Sequence, residues 1–428
     1  MIGSPLVIAE KARERLRSVL SAMRENNAEV RHAAPVELPD PGDLVITACE
    51  VNELHGTGTL LLRIFSDSSS IISLRTHNFY NGRQPFGAAQ LCLPLAQASP
   101  PEISSWLRWY LGTGTIRRIL CLPYTPAEAV VAIEAQESSG APLCTYVMDD
   151  KNVCADGISD ELMHRLFARS KLRLVISPEM RDAYQRKYRM KFWVMPPVVS
   201  DGIVRRQPAP SEERVEATRP VLLGNIWGQR WLDMLRDIFR GSGREIDWYC
   251  NQKDPSGLSF DRADLARDGI HLLNPIAEQD LPTVLSRYPL AVVPSDPLDG
   301  HSPPTVCAIA ELSLPSRMVT LMATAHLPML VIGSPDTCAA GFVRRLRLGE
   351  VAPYERAAVI KAINSLLLPS TQSAIRATAA QLAGKFSAKN GAKWIWDSLT
   401  AGQACSTIYE DLFEDAPLEP ECRTGTAH

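Results

Sequence analysis

The chain has 428 residues, more than a single domain usually holds, and its length therefore favours two domains. Apolar residues make up 45% and charged residues 22% of the sequence, which is typical of a globular protein with ample core. The formal net charge of −3 gives no overall field that would recruit nucleic acid or an anionic membrane. Local basic clusters must therefore carry any anion binding.

Ten cysteines are scattered along the chain, and none pair at the CxxC spacing of zinc and redox sites. Several lie in apolar runs such as ILCLP and PLCTYVM, as buried cysteines do in a reducing compartment. There is no apolar signal-peptide core near the first residue and no run of ~18 apolar residues. We therefore expect a cytoplasmic location.

The first 40 residues contain one predicted helix. Ala12, Leu16, Val19, Leu20 and Met23 share an apolar face, while the basic side chains fall largely elsewhere. The favoured interpretation is a surface helix packed on the first domain. The alternative is a basic interfacial helix that contacts anionic lipid at the inner face of the membrane.

From about residue 43, predicted strands alternate with predicted helices. In the first half, the predicted strands are 43–50, 70–76, 117–123, 142–148, 172–177 and 191–196. The predicted helices there are a short run directly after the turn that ends at Gly58, and 126–138, 158–169 and 178–189. In the second half, the predicted strands are 219–225, 245–251, 269–273, 289–295 and 327–333, and the predicted helices are 228–240, 278–287, 315–326, 353–368, 371–387, 389–400 and 403–413. Nearly continuous apolar strands of this kind are typical of parallel sheets with helices on both faces, so the pattern predicts two Rossmann-like α/β domains.

A polar, proline-containing segment separates the two halves and is typical of an interdomain linker. The predicted boundaries are 1–200 for the first domain, 201–219 for the linker, 220–386 for the second domain, 387–415 for C-terminal helices and 416–428 for a tail.

Open parallel sheets bind ligands at the carboxyl ends of their strands, and two loops of the first domain carry candidate residues there. Gly56 and Gly58 follow the first strand, where their amides could approach a phosphate or a sugar; a simple turn is the alternative. Asp149 and Asp150 follow the strand PLCTYVM, where a carboxylate could act as a base or bind a substrate hydroxyl. The alternative is a pair that caps the next helix or solvates the loop.

Two further loops lie in the second domain. Gly224, Asn225 and Arg230 follow its first strand and could hold a diphosphate, with a tight turn and a solvated arginine as the alternative. Lys253, after the next strand, is a weaker candidate that could equally be an exposed side chain.

The segment from Glu311 to Arg317 leads into a predicted helix that starts at Ser316. Arg317 in its first turn is electrostatically unfavourable unless an anion offsets the charge, which predicts phosphate binding. An ordinary capped helix is the alternative. His301 could also reach the ligand region, although a plain loop histidine explains it as well.

Motifs for metals and common cofactors are absent from the sequence. It has no HExxH, HxD or paired Cys/His spacing, no P-loop and no GxGxxG in register. Aromatic and basic residues do not interleave as they do on nucleic-acid-binding surfaces, so no nucleic-acid partner is expected.

From about residue 171 to 370 the chain resembles the GT-B glycosyltransferases of the large, mostly retaining family that uses nucleotide-diphosphate sugars. LRLVISPEMRDAYQRKYRMKFWVMPPVV is similar to that family's exit from the first domain, and PVLLGNIWGQRW to the opening of the second. YPLAVVPSD, followed by LSLPSRMVTLMATAHLPMLVIG, resembles its donor-site segment.

The resemblance implies two Rossmann-like domains facing a cleft, with C-terminal helices packing back on the first domain. It also implies a donor site in the second domain and an acceptor site in the first. Arg230 and Lys253 would neutralise the diphosphate with help from Ser316 and Arg317, and Gly56 and Gly58 would bring backbone to the reacting centre. Because positive charge would stand in for the metal of other glycosyltransferases, no metal and no cofactor are implied.

The sequence departs from the family at several positions. Many relatives carry two glutamates eight positions apart, where this chain has Leu312 and Thr320, with Glu311 one residue away. Relatives often have His-Asp after the fourth strand, where this chain has Met148 and Asp149, and residues 1–120 match only loosely.

Three hypotheses follow. The first is an enzyme that transfers a sugar from a nucleotide-diphosphate donor to a saccharide, lipid-linked glycan or protein, with Asp149 or Asp150 orienting the acceptor. The second is a non-catalytic GT-B-like module that binds sugar or nucleotide; the missing glutamates favour it, and Arg230 with Ser316-Arg317 argues against it. The third is a sugar-nucleotide epimerase.

Overall fold

The protein is described here by a computed structural model covering residues 38–93, 100–111, 116–207, 219–250 and 258–414. The predicted N-terminal helix, Lys253, most of the predicted linker and the predicted tail lie outside these residues. The described chain forms two parallel sheets with flanking helices, which confirms the predicted α/β class.

The first sheet has seven strands in the order β3-β2-β1-β4-β5-β6-β7. Its strands are β1 (Gly42–Thr47), β2 (Ile71–Arg75), β3 (Ala89–Cys92), β4 (Ile116–Cys121), β5 (Leu143–Val147), β6 (Ser170–Val175) and β7 (Trp193–Val194). β1 pairs in parallel with both β2 and β4. The chain thus reverses its winding direction at β1, the place where doubly wound sheets bind ligands.

The second sheet has six strands in the order β10-β9-β8-β11-β12-β13. Its strands are β8 (Val221–Leu223), β9 (Ile246–Tyr249), β10 (Ile270–Leu273), β11 (Ala291–Pro294), β12 (Met329–Ile332) and β13 (Gly349–Ala352). β8 lies between β9 and β11, so the corresponding switch point is at the ends of β8 and β11. Buried residues such as Leu222, Trp248 and Leu330 form the core of this sheet.

Helices connect the strands. In chain order they are α1 (Gly56–Ile64), α2 (Pro100–Leu111), α3 (Pro126–Ser139), α4 (Asp160–Arg169), α5 (Pro178–Tyr188), α6 (Gln229–Phe239), α7 (Arg262–Arg267), α8 (Leu281–Ser286), α9 (Pro304–Leu312), α10 (Ser316–Ala325), α11 (Cys338–Arg345), α12 (Arg356–Leu366), α13 (Pro369–Ala383), α14 (Gly391–Ala401) and α15 (Asp411–Glu414). Four of these, α2, α7, α9 and α11, were not predicted as helices from the sequence. The helix predicted at 403–413 is reduced to the short α15.

The stretch Pro304–Ala325 is long and apolar enough to cross a membrane by composition, with a mean hydropathy of 1.3 over its best window. It is divided into α9 and α10 by a break at 313–315, and 61% of that window is buried within the fold. Most of this window is therefore packed inside the fold.

Contacts between Cα atoms divide the chain into two compact units. The first contains Asp67–Tyr146, Ser159–Lys171 and the described residues up to Asn52. The second contains Glu53–Ser66, Val147–Ile158 and the described residues from Leu172 onward. Helix α1 and the loop after β5 therefore belong to the same unit as the second sheet. The domain boundaries inferred from the sequence stay predictions.

Candidate functional site

The turn after β8 brings backbone and an arginine together. Gly224 has a φ of +84°, in the left-handed region that glycine tolerates best, and Trp248 Nε1 donates a hydrogen bond of 2.8 Å to its carbonyl. A Cβ on Gly224 would lie 3.6 Å from Cδ of Arg317. The glycine therefore serves both the turn and the close approach of the Arg317 side chain.

Arg317 is the second residue of α10 and has no acidic partner among the described residues. Its Nη1 donates to the carbonyl of Asn225 and its Nη2 to that of Pro294, at 3.4 Å. The Nε atom is buried and finds no acceptor in the described part of the chain. Burial lowers the pKa of Arg317 to about 10, so the guanidinium is still charged at neutral pH. Because Arg317 is half-buried, the result is a partly desolvated positive charge whose hydrogen-bond acceptors in the described residues are carbonyl oxygens.

This charge lies at the start of a helix without a side-chain cap. The N-cap residue of α10 is Pro315, which makes no capping hydrogen bond, and the first turn contains no acidic residue. Ser316 lies inside the helix and does not cap it. The alternative interpretation from the sequence, an ordinary helix with a side-chain cap, is therefore wrong. Free N–H groups at a helix start carry about half a positive charge and, together with Arg317, favour an anion.

A second helix starts at the same place. The cap of α1 is His55, whose Nδ1 accepts the N–H of Gly58 at 3.3 Å, and α1 begins at Gly56. A Cβ on Gly56 would lie 3.7 Å from Oγ of Ser316. The positive ends of α1 and α10 therefore meet, an arrangement that is favourable when an anion lies between them.

Arg63 fixes the two helices side by side further along their length. Its Nε donates to Oε1 of Glu278 at 2.8 Å, and its Nη1 lies 3.4 Å from Oγ1 of Thr320 and 3.2 Å from the carbonyl oxygen of Val198. Thr320 stands where the resembling family has the second of its two glutamates. In this protein the Thr320 hydroxyl lies at hydrogen-bond distance from Arg63 instead. Arg63 was not singled out from the sequence, because an arginine at the end of a helix gives no signal of its tertiary partners.

Arg230 differs from Arg317 in having its charge balanced. Its guanidinium pairs with both carboxylate oxygens of Asp299, and Nη1 also lies 3.3 Å from Oγ of Ser302. The pair raises the pKa of Arg230 and lowers that of Asp299 through the hydrogen bonds that join them. An incoming diphosphate would have to compete with Asp299 for this arginine.

A buried carboxylate that sequence reasoning missed orders the loop after β11. Asp296 is completely buried and accepts hydrogen bonds from Trp231 Nε1 at 2.9 Å and from the N–H of Leu298 at 2.7 Å. Tyr354 donates a hydrogen bond of 3.0 Å to the carbonyl of Ser295 beside it. These contacts hold the backbone at the end of β11, next to the carbonyl that accepts from Arg317.

The two aspartates after β5 have different surroundings. Asp150 is completely buried, and its carboxylate accepts the N–H groups of residues 152–155 and the hydroxyl of Tyr184, at 2.7–3.2 Å. These contacts give Asp150 a structural role in the loop and leave it poorly suited to bind a substrate. Asp149 is half-buried. The prediction of a carboxylate that meets the acceptor therefore rests on Asp149.

Glu311 lies against the loop that Asp150 orders. Its Oε2 is 3.5 Å from Sγ of Cys154. Cys154 is exposed at its surface, but partial desolvation, together with the charges of Asp150 and Glu311, raises the pKa of its thiol to about 12. Ser177 caps α5 and also donates to the carbonyl of Leu312.

The described residues offer no metal site, since no three His, Cys, Asp or Glu side chains converge in them. The site consists instead of two helix starts, the Ser316 hydroxyl and one uncompensated arginine. Such a set of donors can bind a phosphate or diphosphate group.

No protein-family model matches the sequence, and no curated protein matches it. Several solved structures share its fold. Anabaena Alr3699/HepE in complex with UDP-glucose aligns with a TM-score of 0.59 at 13% identity, covering 84% of this chain and 99% of that one. The complex of the same protein with UDP gives a TM-score of 0.58 at 14% identity, over 84% of this chain and 100% of that one.

AviGT4, a glycosyltransferase involved in avilamycin A biosynthesis, aligns with a TM-score of 0.53 at 12% identity, over 86% of this chain and 99% of that one. At such identities the likeness is one of fold. It confirms the predicted GT-B glycosyltransferase-like fold of two parallel sheets with flanking helices.

Proposed function

We propose that this protein transfers a sugar from a nucleotide-diphosphate donor to a saccharide, lipid-linked glycan or protein acceptor. The donor diphosphate binds where α1 and α10 begin, against Ser316, Arg317 and the backbone at Gly56. One observation carries the proposal: the half-buried Arg317, whose Nε is buried and without an acceptor, lies at an uncapped helix start with no carboxylate partner in the described residues. A charge so placed is costly unless an anion occupies the site.

The same groups suit the chemistry of transfer. When the bond between the sugar and the diphosphate breaks, negative charge grows on the departing phosphate oxygens. Arg317, the Ser316 hydroxyl and the N–H groups of the helix starts stabilise that charge more in the transition state than in the ground state, which is what accelerates the reaction. In our proposal these fixed positive charges stabilise the leaving diphosphate, as a metal ion does in other glycosyltransferases.

The comparisons support this reading at the level of fold. HepE is described in complexes with UDP and UDP-glucose, and AviGT4 is described as a glycosyltransferase. In our proposal Asp149 orients the acceptor hydroxyl or removes its proton, while Asp150 holds the loop. Lys253 remains a candidate for the diphosphate and lies outside the described residues.

A second candidate is a module that binds the nucleotide sugar without turning it over. Three observations favour it. Thr320 has its hydroxyl engaged with Arg63, Leu312 offers only its backbone carbonyl to Ser177, and Arg230 is neutralised by Asp299. Leu312 and Thr320 therefore make structural contacts at the two positions where the resembling family has glutamates.

The test is a thermal-shift screen of the full-length protein with UDP, GDP, ADP, dTDP and their common sugar conjugates. A ligand that binds only the folded state raises the melting temperature by linkage. We expect a shift with one nucleotide class and its loss in Arg317→Ala, with the shift kept in Arg267→Ala, a control arginine whose side chain is 74% exposed. No shift with any nucleotide at millimolar concentration would contradict the proposal.

Turnover then separates the candidates. Consumption of the nucleotide sugar supports the transferase, whereas binding without consumption supports the module. Interconversion of the sugar without an acceptor would instead identify an epimerase.

A further inference from the structure

The loop after β2 presents an aromatic ring to solvent. Phe79 is 66% exposed, more than any other large apolar side chain in the described part of the chain. Its ring lies parallel to that of His77, with a centroid distance of 5.6 Å and an interplanar angle of 3°. We call residues 77–83 the aromatic loop.

A buried carboxylate fixes the backbone of this loop. Glu50 is completely buried, and its two oxygens accept the N–H groups of Phe79, Tyr80 and Gly82 at 2.7–3.0 Å. Asn81 and Gly82 both have positive φ, of 57° and 71°, which closes the turn tightly. The exposed ring is therefore held in place by a preformed backbone.

A buried arginine holds the residue that precedes Phe79. Arg75, at the end of β2, donates from Nε to Oδ1 of Asn78 at 2.6 Å and is only 8% exposed. Its Nη1 is buried and has no acceptor among the described residues. Arg75 therefore fixes Asn78 from the inner side of the loop, while the ring of Phe79 faces solvent.

The segment that connects β1 to α1 is hydrogen-bonded to this loop. After Glu50, the N–H of Val51 donates to Oε1 of Gln84 at 3.0 Å, and Nδ2 of Asn52 donates to the carbonyl of Arg83 at 3.0 Å. Glu50 and Asn52 are therefore attached to the aromatic loop, and Val51 is attached to Gln84, the residue that follows it. The loop also follows β2 at the carboxyl edge of a parallel sheet, where such folds bind ligands.

We propose that Phe79, backed by His77, is a stacking surface for a pyranose ring, and that the acceptor is a saccharide. The inference rests on the proposed function and narrows its acceptor. The C–H groups on one face of a pyranose are apolar and slightly positive, and they fit the negative face of an aromatic ring. The hydroxyl groups at the rim of the sugar need donors and acceptors such as the amides of Asn78 and Asn81, as is usual in sites that combine an apolar wall with a few polar groups.

The experiment uses the full-length protein and saturation-transfer NMR with cellobiose, lactose, maltose and chitobiose. We expect at least one of these disaccharides to bind the wild type, and Phe79→Ala to weaken its binding by roughly tenfold. Phe79→Trp keeps the stacking surface and should retain binding. Ile408→Ala, which removes another exposed apolar side chain, is the matched control and should have no effect.

Equal binding by Phe79→Ala and the wild type would overturn the proposal, as would the absence of binding by all four disaccharides. A nucleoside that binds in place of the sugars and is lost in Phe79→Ala would overturn it too, since the surface would then hold a base. Nucleotide-induced stabilisation should be unchanged in Phe79→Ala. If no nucleotide stabilises the wild type while Phe79-dependent sugar binding persists, the proposed function fails and the saccharide site stands.

Discussion

The Oγ atom of Ser316 lies 3.7 Å from the position that a Cβ would take on Gly56, so the first residues of two helices are in contact. Helix starts repel one another electrostatically, and nothing acidic in the first turn of either helix relieves that repulsion. With the charge of Arg317 beside them, the two ends form a site whose free energy falls when an anion binds.

The size of residue 56 should control access to the site. Gly56→Ala places a carbon at ordinary contact distance from Ser316, with no other described atom within 4 Å, and should change the free energy of unfolding by less than about 0.5 kcal/mol. Gly56→Leu extends the side chain into the space that the diphosphate would occupy. Calorimetric titration should therefore give near-normal nucleotide affinity for the alanine variant and a loss of more than about tenfold for the leucine variant. Equal affinities would place the anion elsewhere.

Substitutions of the two aspartates after β5 should affect different properties, namely the stability of the fold for Asp150 and turnover for Asp149. Asp150→Asn replaces an oxygen that accepts backbone N–H groups by an amide that cannot, and should lower the free energy of unfolding by about 2 kcal/mol in chemical denaturation. Asp149→Asn should lower turnover while nucleotide binding is kept. Full activity of the Asp149 variant would remove this residue from the mechanism.

The ion pair of Arg230 and Asp299 should limit the part that Arg230 takes in binding. Arg230→Ala is expected to weaken nucleotide affinity less than Arg317→Ala does, because its charge is already balanced. Asp299→Asn frees the arginine and should strengthen binding by roughly two- to fivefold at low salt, an advantage that added salt removes. A weaker affinity in Asp299→Asn would show that the carboxylate itself contributes to the site.

Acid stability should depend on Asp268. Two hydrogen bonds from Arg240, and then one from Arg236, hold the pKa of this carboxyl at about 2 despite its burial. A folded-state pKa below the unfolded value of about 3.9 stabilises the protein above that unfolded value, and the stabilisation is lost as the pH falls towards 2. Asp268→Asn should therefore melt below the wild type at pH 6, and the difference should shrink between pH 4 and pH 2. A difference that stays constant over this range would contradict the assignment.

Much of the fold was predictable because most strands are buried, nearly continuous apolar runs. The two strands that were missed, β3 with the sequence AQLC and β13 with GEVA, lie at the edges of their sheets, where polar residues are tolerated and the apolar signal fades. In the site, Arg317 was predictable from its unfavourable position in a first helical turn. The structural role of Asp150 and the contact between Arg63 and Thr320 depend on residues distant in sequence, and no local pattern predicts them.

The most direct test of the central claim compares Arg317→Met with the wild type, with and without the nucleotide diphosphate. Methionine fills a similar volume and removes a half-buried charge that has no acidic partner in the described residues, so the unliganded variant should melt at the same temperature or higher. Its affinity for the nucleotide diphosphate should fall by about tenfold or more, since a charge-assisted interaction with phosphate is lost. A variant that melts well below the wild type and binds the nucleotide equally tightly would contradict the account, because Arg317 would then be a structural residue rather than the anion-binding group.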